Sequence, residues 1–223
     1  MIKRDSHGII VQHAERGTDD PSYMDGGDSA SRTGIMALCG SYADIVRLED
    51  FFIYFDKRYM PVRHPHQNAY NHPKSMSRDQ IICLAAGFYR NFGVRSILYT
   101  SFKGWYETQR GWFINKDILL PSHWFHIYCC CNSDRNADLV TILFRYISAV
   151  FLFFDVLWST KIKPWDEQNQ ILCILIVRGK KWLKFYCKLH PDWQKATMRY
   201  WDSWRDQKEI GLALIDLVKK ELK

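Results

Sequence analysis

The sequence lacks the paired cysteines that would mark a disulfide framework or a common zinc site. Its seven cysteines are odd in number, and no two are spaced as Cys-x-x-Cys. They are Cys39, Cys83, Cys129, Cys130, Cys131, Cys173 and Cys187. Several lie in apolar stretches, which is typical of reduced, buried cysteines in a cytoplasmic protein. We therefore predict a fold that no disulfide holds together.

A secretory leader and an uninterrupted membrane span are also missing. The first ten residues, MIKRDSHGII, contain no long apolar run, so we expect no signal peptide. The most apolar segment, 139–158, is interrupted by Arg145 and Asp155, whereas a span needs about 20 mainly apolar residues. We predict that this segment is a central helix buried in protein. The expected location is the cytoplasm, or a virion if a phage encodes the chain.

Apolar side chains and positive charge, in contrast, are plentiful. Of the 223 residues, 47% are hydrophobic and 15% aromatic, which is enough for one domain with its own core. The formal net charge is +7 and the isoelectric point is near 9.0. Such a charge is compatible with nucleic acid, an anionic glycan or an anionic lipid surface as partner, but solubility explains it equally well.

Helical periodicity dominates the chain, and the alternation of a half-buried strand is nearly absent. The predicted helices cover 28–39, 43–55, 77–93, a stretch from 121 through the cysteines, one ending at 163–164, 167–178, and a pair within 192–222. This pattern predicts an all-α fold, an antiparallel helical array of which a partial α/α toroid is one form. Within the single domain 1–223 we distinguish a short irregular N-terminal arm (1–27), a site-bearing half (28–135) and a helical scaffold (136–223).

The segment DGGDSASRTG, residues 25–34, is the first candidate site. Asp25 and Asp28 place two carboxylates at a helix start, and Ser29 and Arg32 follow within about one turn. Paired carboxylates serve as acid and base in hydrolysis, or as ligands of a hard metal ion. A helix cap alone explains Asp28 or Ser29 but not the whole set. The glycine spacing does not fit a P-loop.

A second motif, VRHPH at 62–66, lies in a long connection with three prolines. Connections of this length inside compact domains are usually functional or disordered. Arg63 can bind a carboxylate or phosphate through two hydrogen bonds, and His64 stands beside it. The alternative is an ordered surface loop.

The third motif, SRDQ, opens the predicted helix 77–93. Ser77 and Gln80 have the spacing of a capping box, in which the two side chains bond reciprocally to backbone N–H groups. Arg78 opposes the helix dipole, whereas Asp79 suits it. The arginine therefore indicates an anionic partner, either a substrate or a carboxylate of the first motif in a structural ion pair.

The fourth motif is PSHWFHIYCCC, residues 121–131. On a helix, His123, His126 and Cys130 would share one face. Imidazoles and a thiolate can bind zinc, but the compact zinc signatures are missing, so we predict no metal and no other cofactor. We expect His123 to carry protons and Trp124 and His126 to contact substrate. The alternative is an ordinary core helix.

Together, DGGDSASRTG, VRHP, SRDQ and PSHWFH resemble a group of phage and bacterial proteins for which no activity is known. The resemblance covers about residues 25–126. It implies that these loops belong to one site and implies nothing about its chemistry.

The sequence favours a helical hydrolase that acts on a glycan or another polar or anionic substrate. The predicted acid and base groups are Asp25, Asp28, Asp79 and His123. The predicted substrate-binding residues are Ser29, Arg32, Arg63, His64, Arg78, Trp124 and His126. One alternative is a non-enzymatic binding protein, such as a phage inhibitor or virion component with a protein partner. Another is nucleic-acid binding, since tryptophans and basic residues alternate near the C-terminus.

Overall fold

A computed structural model describes residues 2–13, 24–93, 101, 126, 150, 153–154, 166–202 and 207–223. The part described is mainly helical, as predicted. The α-helices are α1 (Ser29–Leu38), α2 (Tyr42–Ile45), α3 (Arg78–Phe92), α4 (Asp166–Arg178), α5 (Lys180–Leu189), α6 (Trp193–Asp202) and α7 (Lys208–Leu222). The strands are β1 (Gln12–His13), β2 (Met24–Asp25), β3 (Phe52–Phe55) and β4 (Arg58–Pro61), and Leu48–Phe51 and Pro73–Ser75 are 3-10 helices.

The core forms where α1 packs on α3 and α3 packs on α4. Nearly every side chain of α1 is buried, including polar ones, so α1 is a central helix and not a surface helix with one apolar side. Its contacts pair Ser31 with Gln80 and Ala37 with Asn91. Both numbers rise together, so α1 and α3 run in the same direction. This pair departs from the predicted antiparallel array, because the chain returns through α2 and the β3–β4 hairpin before α3 begins.

Two glycines make this close helix packing possible. A Cβ atom on Gly34 would lie 2.4 Å from the carbonyl oxygen of Cys83, and one on Gly87 would lie 2.4 Å from the carbonyl oxygen of Gly34. In both cases the obstacle is backbone, which cannot rotate away. A methyl group at either position would therefore separate the two helices that carry the site.

We expect Gly34→Ala to lower the free energy of unfolding by about 2 kcal/mol, the usual cost of overpacking a tight core. Urea unfolding of the variant and the parent measures this. Gln194→Ala, an exposed position on α6, is the control and should change stability by less than about 0.5 kcal/mol. A Gly34→Ala protein as stable as the parent would show that the two helices are not in backbone contact.

The prediction of a helix over 43–55 was wrong. The chain instead forms α2, a 3-10 turn and then the β3–β4 hairpin, in which Tyr54 pairs with Tyr59 and Ile53 with Met60. The hairpin turn is Asp56-Lys57, and both residues have positive φ, 47° and 65°. Such a turn is usually recognised by an Asn-Gly or Asp-Gly pair. A lysine at the second position hides it in the sequence.

Where the structure describes it, the N-terminal segment is packed against the rest of the fold. Ile9, Ile10 and Val11 are buried at 0–1% exposure. Arg4 forms two hydrogen bonds of 2.8 Å to the buried carboxylate of Asp44. Next along the chain, β1 pairs with β2, so this segment is fastened to the start of α1.

The helix predicted at 167–178 and the helix pair predicted within 192–222 are confirmed as α4, α6 and α7. Helix α5 was not predicted. Gly93 ends α3 as predicted, with φ +68°. Of the predicted central helix 139–158, only Val150, Phe153 and Phe154 are described, and all three are helical. They are exposed at 56%, 38% and 51%, so at these positions the prediction of a buried helix was wrong. Among the described residues, no helix has the length and apolar character needed to cross a membrane.

Candidate functional site

Asp25 is held at the end of β2 by hydrogen bonds to both of its carboxylate oxygens. The β1–β2 pairing places Gln12 opposite it, and the Gln12 amide donates to Asp25 Oδ2 at 2.8 Å. The backbone N–H of Gly27 donates to Oδ1 at 2.8 Å. Burial raises the pKa of Asp25, but the hydrogen bonds from Gln12, Gly27 and Tyr70 and the charge of Arg32 outweigh it. The net result is a lowered pKa, so Asp25 is the more readily ionised carboxyl group.

Asp28 and Asp79 are joined through one buried amide. Gln80 is fully buried, and its Nε2 donates to Asp28 Oδ1 at 2.9 Å and to Asp79 Oδ2 at 3.0 Å. Its Oε1 accepts from the backbone N–H of Ser31 at 2.8 Å, which fixes the orientation of the amide. The two carboxylate oxygens are therefore at most about 6 Å apart. This upper limit is compatible with paired carboxylates that share one substrate.

Asp28 differs from Asp25 in the direction of its pKa shift. Burial raises the pKa of Asp28; Arg32 and Arg63 oppose the rise, but the charges of Asp79 and Asp25 add to it, and the net shift is upward. The Asp28 side chain still has 24% of its surface exposed. It is thus a partly accessible carboxyl group that holds its proton more strongly than an ordinary aspartate.

Arg32 is the charged centre of this network. The residue is 1% exposed, and its Nη2 lies 3.0 Å from Gln12 Oε1 and 3.1 Å from Asp28 Oδ2. Nε donates to Gln207 Oε1, and the guanidinium lies 5.3 Å from the ring centre of Trp201. These contacts connect the first motif with the C-terminal helices. Arg32 is too enclosed to clamp a substrate directly, and instead it positions Asp28.

The VRHPH loop lies against the first motif. Arg63 donates through Nη1 to the carbonyl oxygen of Gly27 at 3.3 Å and through Nε to the carbonyl oxygen of Ser75. The carbonyl oxygen of Arg63 accepts from the backbone N–H of Ala30. Arg63 is half-buried. With Gln80 bonded to Asp28, the motifs at 25–34, 62–66 and 77–80 come together at the start of α1.

Two of the predicted substrate-binding residues are buried and engaged with the fold. Ser29 donates to the carbonyl oxygen of Ile10 at 2.6 Å. His64 is fully buried, with Nδ1 accepting from His66 N–H at 3.1 Å and Nε2 3.1 Å from Asp5 Oδ2. The proton of neutral His64 is therefore on Nε2. Burial lowers the pKa of His64 although Asp5 opposes this, so the neutral form is favoured.

The loop also requires a glycine beside His64. A Cβ atom on Gly26 would lie 2.4 Å from His64 Cδ2 and 2.5 Å from Gln67 Oε1, which accepts from the Gly26 N–H at 2.8 Å. The first of the two glycines in the DGGDS motif thus lets the VRHPH loop approach the carboxylates.

The predicted capping box was wrong, although its position was right. Ser77 is the N-cap of α3 but makes no side-chain cap bond; its hydroxyl donates instead to Asp79 Oδ1 at 2.6 Å. Gln80 turns away from the cap toward α1. Both side chains therefore fix carboxylates rather than the helix end.

Other predicted residues lie wholly or partly outside the described part of the chain. These are His123, Trp124 and Cys130, together with the side chain of Arg78. His126 is described: it is helical and fully buried, with Nε2 3.3 Å from the carbonyl oxygen of Ile82. Burial and the charge of Arg178 lower its pKa to about 3, against a small opposing effect of the Ile82 carbonyl.

His126 should make the protein sensitive to acid. Its pKa in the folded state, about 3, is below its ordinary value of 6.5, so the unfolded chain binds a proton that the folded chain excludes. Its contribution to stability is therefore complete above pH about 6.5 and is lost as the pH falls toward 3, by about 1.4 kcal/mol per pH unit. Urea unfolding between these limits should show a shallower slope for His126→Gln.

His72→Gln, on the half-buried loop, is the control and should leave this slope unchanged. If the His126→Gln slope equals that of the parent, His126 takes up no proton on unfolding.

A narrow cleft borders Asp79 on the side of the C-terminal helices. It is lined by Arg32, Asp79, Cys83, Asn169, Tyr200 and Trp201, and its empty volume is about 260 Å³. That volume includes open solvent at the mouth of the cleft. A substrate of any size must therefore reach Asp28 from the half-exposed side, where Asp25 and Arg63 lie.

Two residues of the network, Gln12 and Gln207, were not predicted, and Gln80 was predicted only as part of a helix cap. Gln12, Gln80 and Gln207 each hold Arg32 or a carboxylate, yet Gln12 and Gln207 are far from the motifs in sequence. A polar residue in an apolar stretch is the only sign that Gln12 offers, since it follows Ile9-Ile10-Val11. Within the described residues, no group of three or more His, Cys, Asp or Glu side chains is arranged to hold a metal ion.

Comparison with protein-family models, with curated proteins and with solved structures finds no match.

Proposed function

We propose that this chain is a hydrolase of a glycan or another polar or anionic substrate. The observation that carries the proposal is the pair Asp25 and Asp28, whose pKa values are shifted in opposite directions within one network. Neighbouring carboxyl groups with separated pKa values are how one site supplies an acid and a base at the same pH.

In the proposed reaction Asp28 is the general acid. It is protonated more readily than an ordinary aspartate and is partly exposed, so it can donate to the leaving oxygen of a scissile bond. Ionised Asp25 accepts a proton from the attacking water. Asp79 keeps the pKa of Asp28 high through its negative charge, while Gln80 fixes both groups.

The remaining predicted residues have assigned places in this proposal. Arg63 is the half-exposed cation beside Gly27 and would contact an anionic group of the substrate. The proposal also includes His123 as a proton carrier and Trp124 as a substrate contact, and both roles are based on the sequence alone. A partial α/α toroid is its architectural part. A cytoplasmic or virion location and a phage origin belong to the same proposal.

A substrate panel tests this function. The purified chain is incubated with neutral and acidic polysaccharides across the pH range, and new reducing ends are measured. We expect cleavage of at least one acidic or neutral glycan, with a bell-shaped pH dependence set by the two carboxyl groups. The double variant Asp25→Asn/Asp28→Asn, purified in the same way, controls for contaminating enzymes. Equal release by both proteins, or none by either, would contradict a glycan hydrolase.

A non-enzymatic binding protein is the second candidate, and one observation favours it. The β3–β4 hairpin exposes Tyr54 and Tyr59 at 67% and 49%, with their ring centres 5.5 Å apart. Exposed tyrosines are common at protein interfaces. Suppose that the chain binds a partner protein, that the double variant Tyr54→Ser/Tyr59→Ser loses this binding, and that no substrate is turned over. Those results together would favour the binding protein over the hydrolase.

A further inference from the structure

Helix α5 carries only positive charge on its exposed side. Four of its ten residues are exposed lysines, and the helix contains no aspartate or glutamate. The four exposed lysines are Lys180, Lys181, Lys184 and Lys188. None of the four forms an ion pair with any residue that the structure describes. Lysines that serve only for solubility are commonly interspersed with carboxylates, so an unbalanced row of this kind indicates an anionic partner.

An apolar surface adjoins this helix. Val150, Phe153 and Phe154 are helical and exposed, and their spacing of three and four positions is the one that places side chains on one side of a helix. The ring of Phe153 stacks on Phe185 of α5, with centroids 5.6 Å apart. Leu189, four positions after Phe185, is also exposed, at 41%.

We propose that these residues form a docking surface for an anionic lipid bilayer, so that the chain binds membranes peripherally. The docking patch comprises Val150, Phe153, Phe154 and Leu189, with Lys181, Lys184 and Lys188 beside them. Phe, Val and Leu side chains would enter the boundary between headgroups and acyl chains. The lysines would contact the anionic headgroups. Stable peripheral binding requires two such signals together.

The composition of the patch argues against other occupants. In a symmetric dimer through this patch, the lysines of one copy would face those of the other, and like charges oppose association. Single-stranded nucleic acid needs flat aromatic platforms and is favoured by arginine. Here half of the apolar side chains are aliphatic, and α5 has no arginine. A bilayer surface accommodates both aliphatic and aromatic side chains.

Vesicle sedimentation of the full chain tests this proposal. We expect weak binding to phosphatidylcholine vesicles and at least about tenfold stronger binding when about 30 mol % phosphatidylglycerol is included. Lys181→Glu/Lys184→Glu/Lys188→Glu should reduce binding to the anionic vesicles by about 100-fold. Phe154→Ser should reduce it by about tenfold and should make the remaining binding more sensitive to salt.

The matched control reverses the charge of three exposed lysines outside the docking patch, in Lys219→Glu/Lys220→Glu/Lys223→Glu. Its net charge equals that of the triple patch variant. It should keep most of the binding, and thermal unfolding should show that all variants are folded. Equal losses in the control and patch variants would overturn the proposal, because total charge would then be the cause. So would equal binding to both kinds of vesicle, tighter patch-dependent binding to a single-stranded oligonucleotide, or a dimer that only the patch variants dissociate. The proposal does not depend on any enzymatic activity.

Discussion

Replacing Arg32 by methionine is expected to lower the free energy of unfolding by about 3–5 kcal/mol, the usual cost of breaking a buried ion pair from one side. Arg32 is 1% exposed. Its removal leaves the Asp28 carboxylate without its cation, and it leaves the side-chain oxygens Oε1 of Gln12 and Gln207 without their hydrogen-bond donor. Methionine keeps much of the volume, so the lost charge dominates. Urea unfolding at neutral pH measures the change.

The pH dependence of this loss separates charge from packing. Arg32 lowers the pKa of Asp28, so in the variant that pKa rises further above its unfolded value. A group with a raised folded pKa favours folding at low pH and opposes it as the pH rises through that pKa. The deficit of Arg32→Met should therefore be smaller in mild acid than at neutral pH. A deficit that is the same at both would mean that only packing was lost.

Arg47→Met is the matched control for Arg32→Met. Arg47 pairs with Asp50 at 3.3 Å, and both side chains are more than a third exposed, at 42% and 35%. Exposed pairs of this kind contribute about 0–1 kcal/mol. We expect a correspondingly small change and little dependence on pH.

Asp28→Asn is expected to lower kcat by about 10³-fold on whichever substrate the panel identifies, the usual contribution of a general acid. Asparagine keeps the size of the side chain and can still accept from Gln80, but it cannot transfer a proton. KM should change much less than kcat, because the lost interaction belongs to the transition state.

Asp50→Asn is the control for that measurement, since it removes a carboxylate of the same type from the surface. It should retain the parent kcat. An Asp28→Asn enzyme with undiminished turnover would remove Asp28 from the reaction and would move attention to Asp79.

Part of the fold could be predicted because local signals and tertiary structure agree. The helices α1 and α3 follow from polar residues at their starts, apolar periodicity and, for α3, Gly93 at its end. The β3–β4 hairpin could not be predicted, because its aromatic residues also fit helical spacing and its turn lacks glycine. In the hairpin, Met60 and Pro61 are buried.

The candidate site shows the same division. The carboxylates stood out because acidic residues, glycines and an arginine occur together in 25–34. Their opposite pKa shifts could not be predicted, because they depend on burial and on amides from distant positions, such as Gln12 and Gln80. The burial of Arg32 likewise depends on Gln207 and Trp201, which follow it by more than 160 positions.

The central claim is that burial and the neighbouring charges of Asp79 and Asp25 raise the pKa of Asp28 above that of an ordinary aspartate. An NMR titration of the labelled carboxyl carbon tests this without any substrate, using Asp28→Asn to assign the signal. We predict a pKa above the ordinary aspartate value in the parent and a lower one in Asp79→Asn, because that variant removes a neighbouring negative charge. An ordinary or lowered pKa that Asp79→Asn leaves unchanged would contradict the account.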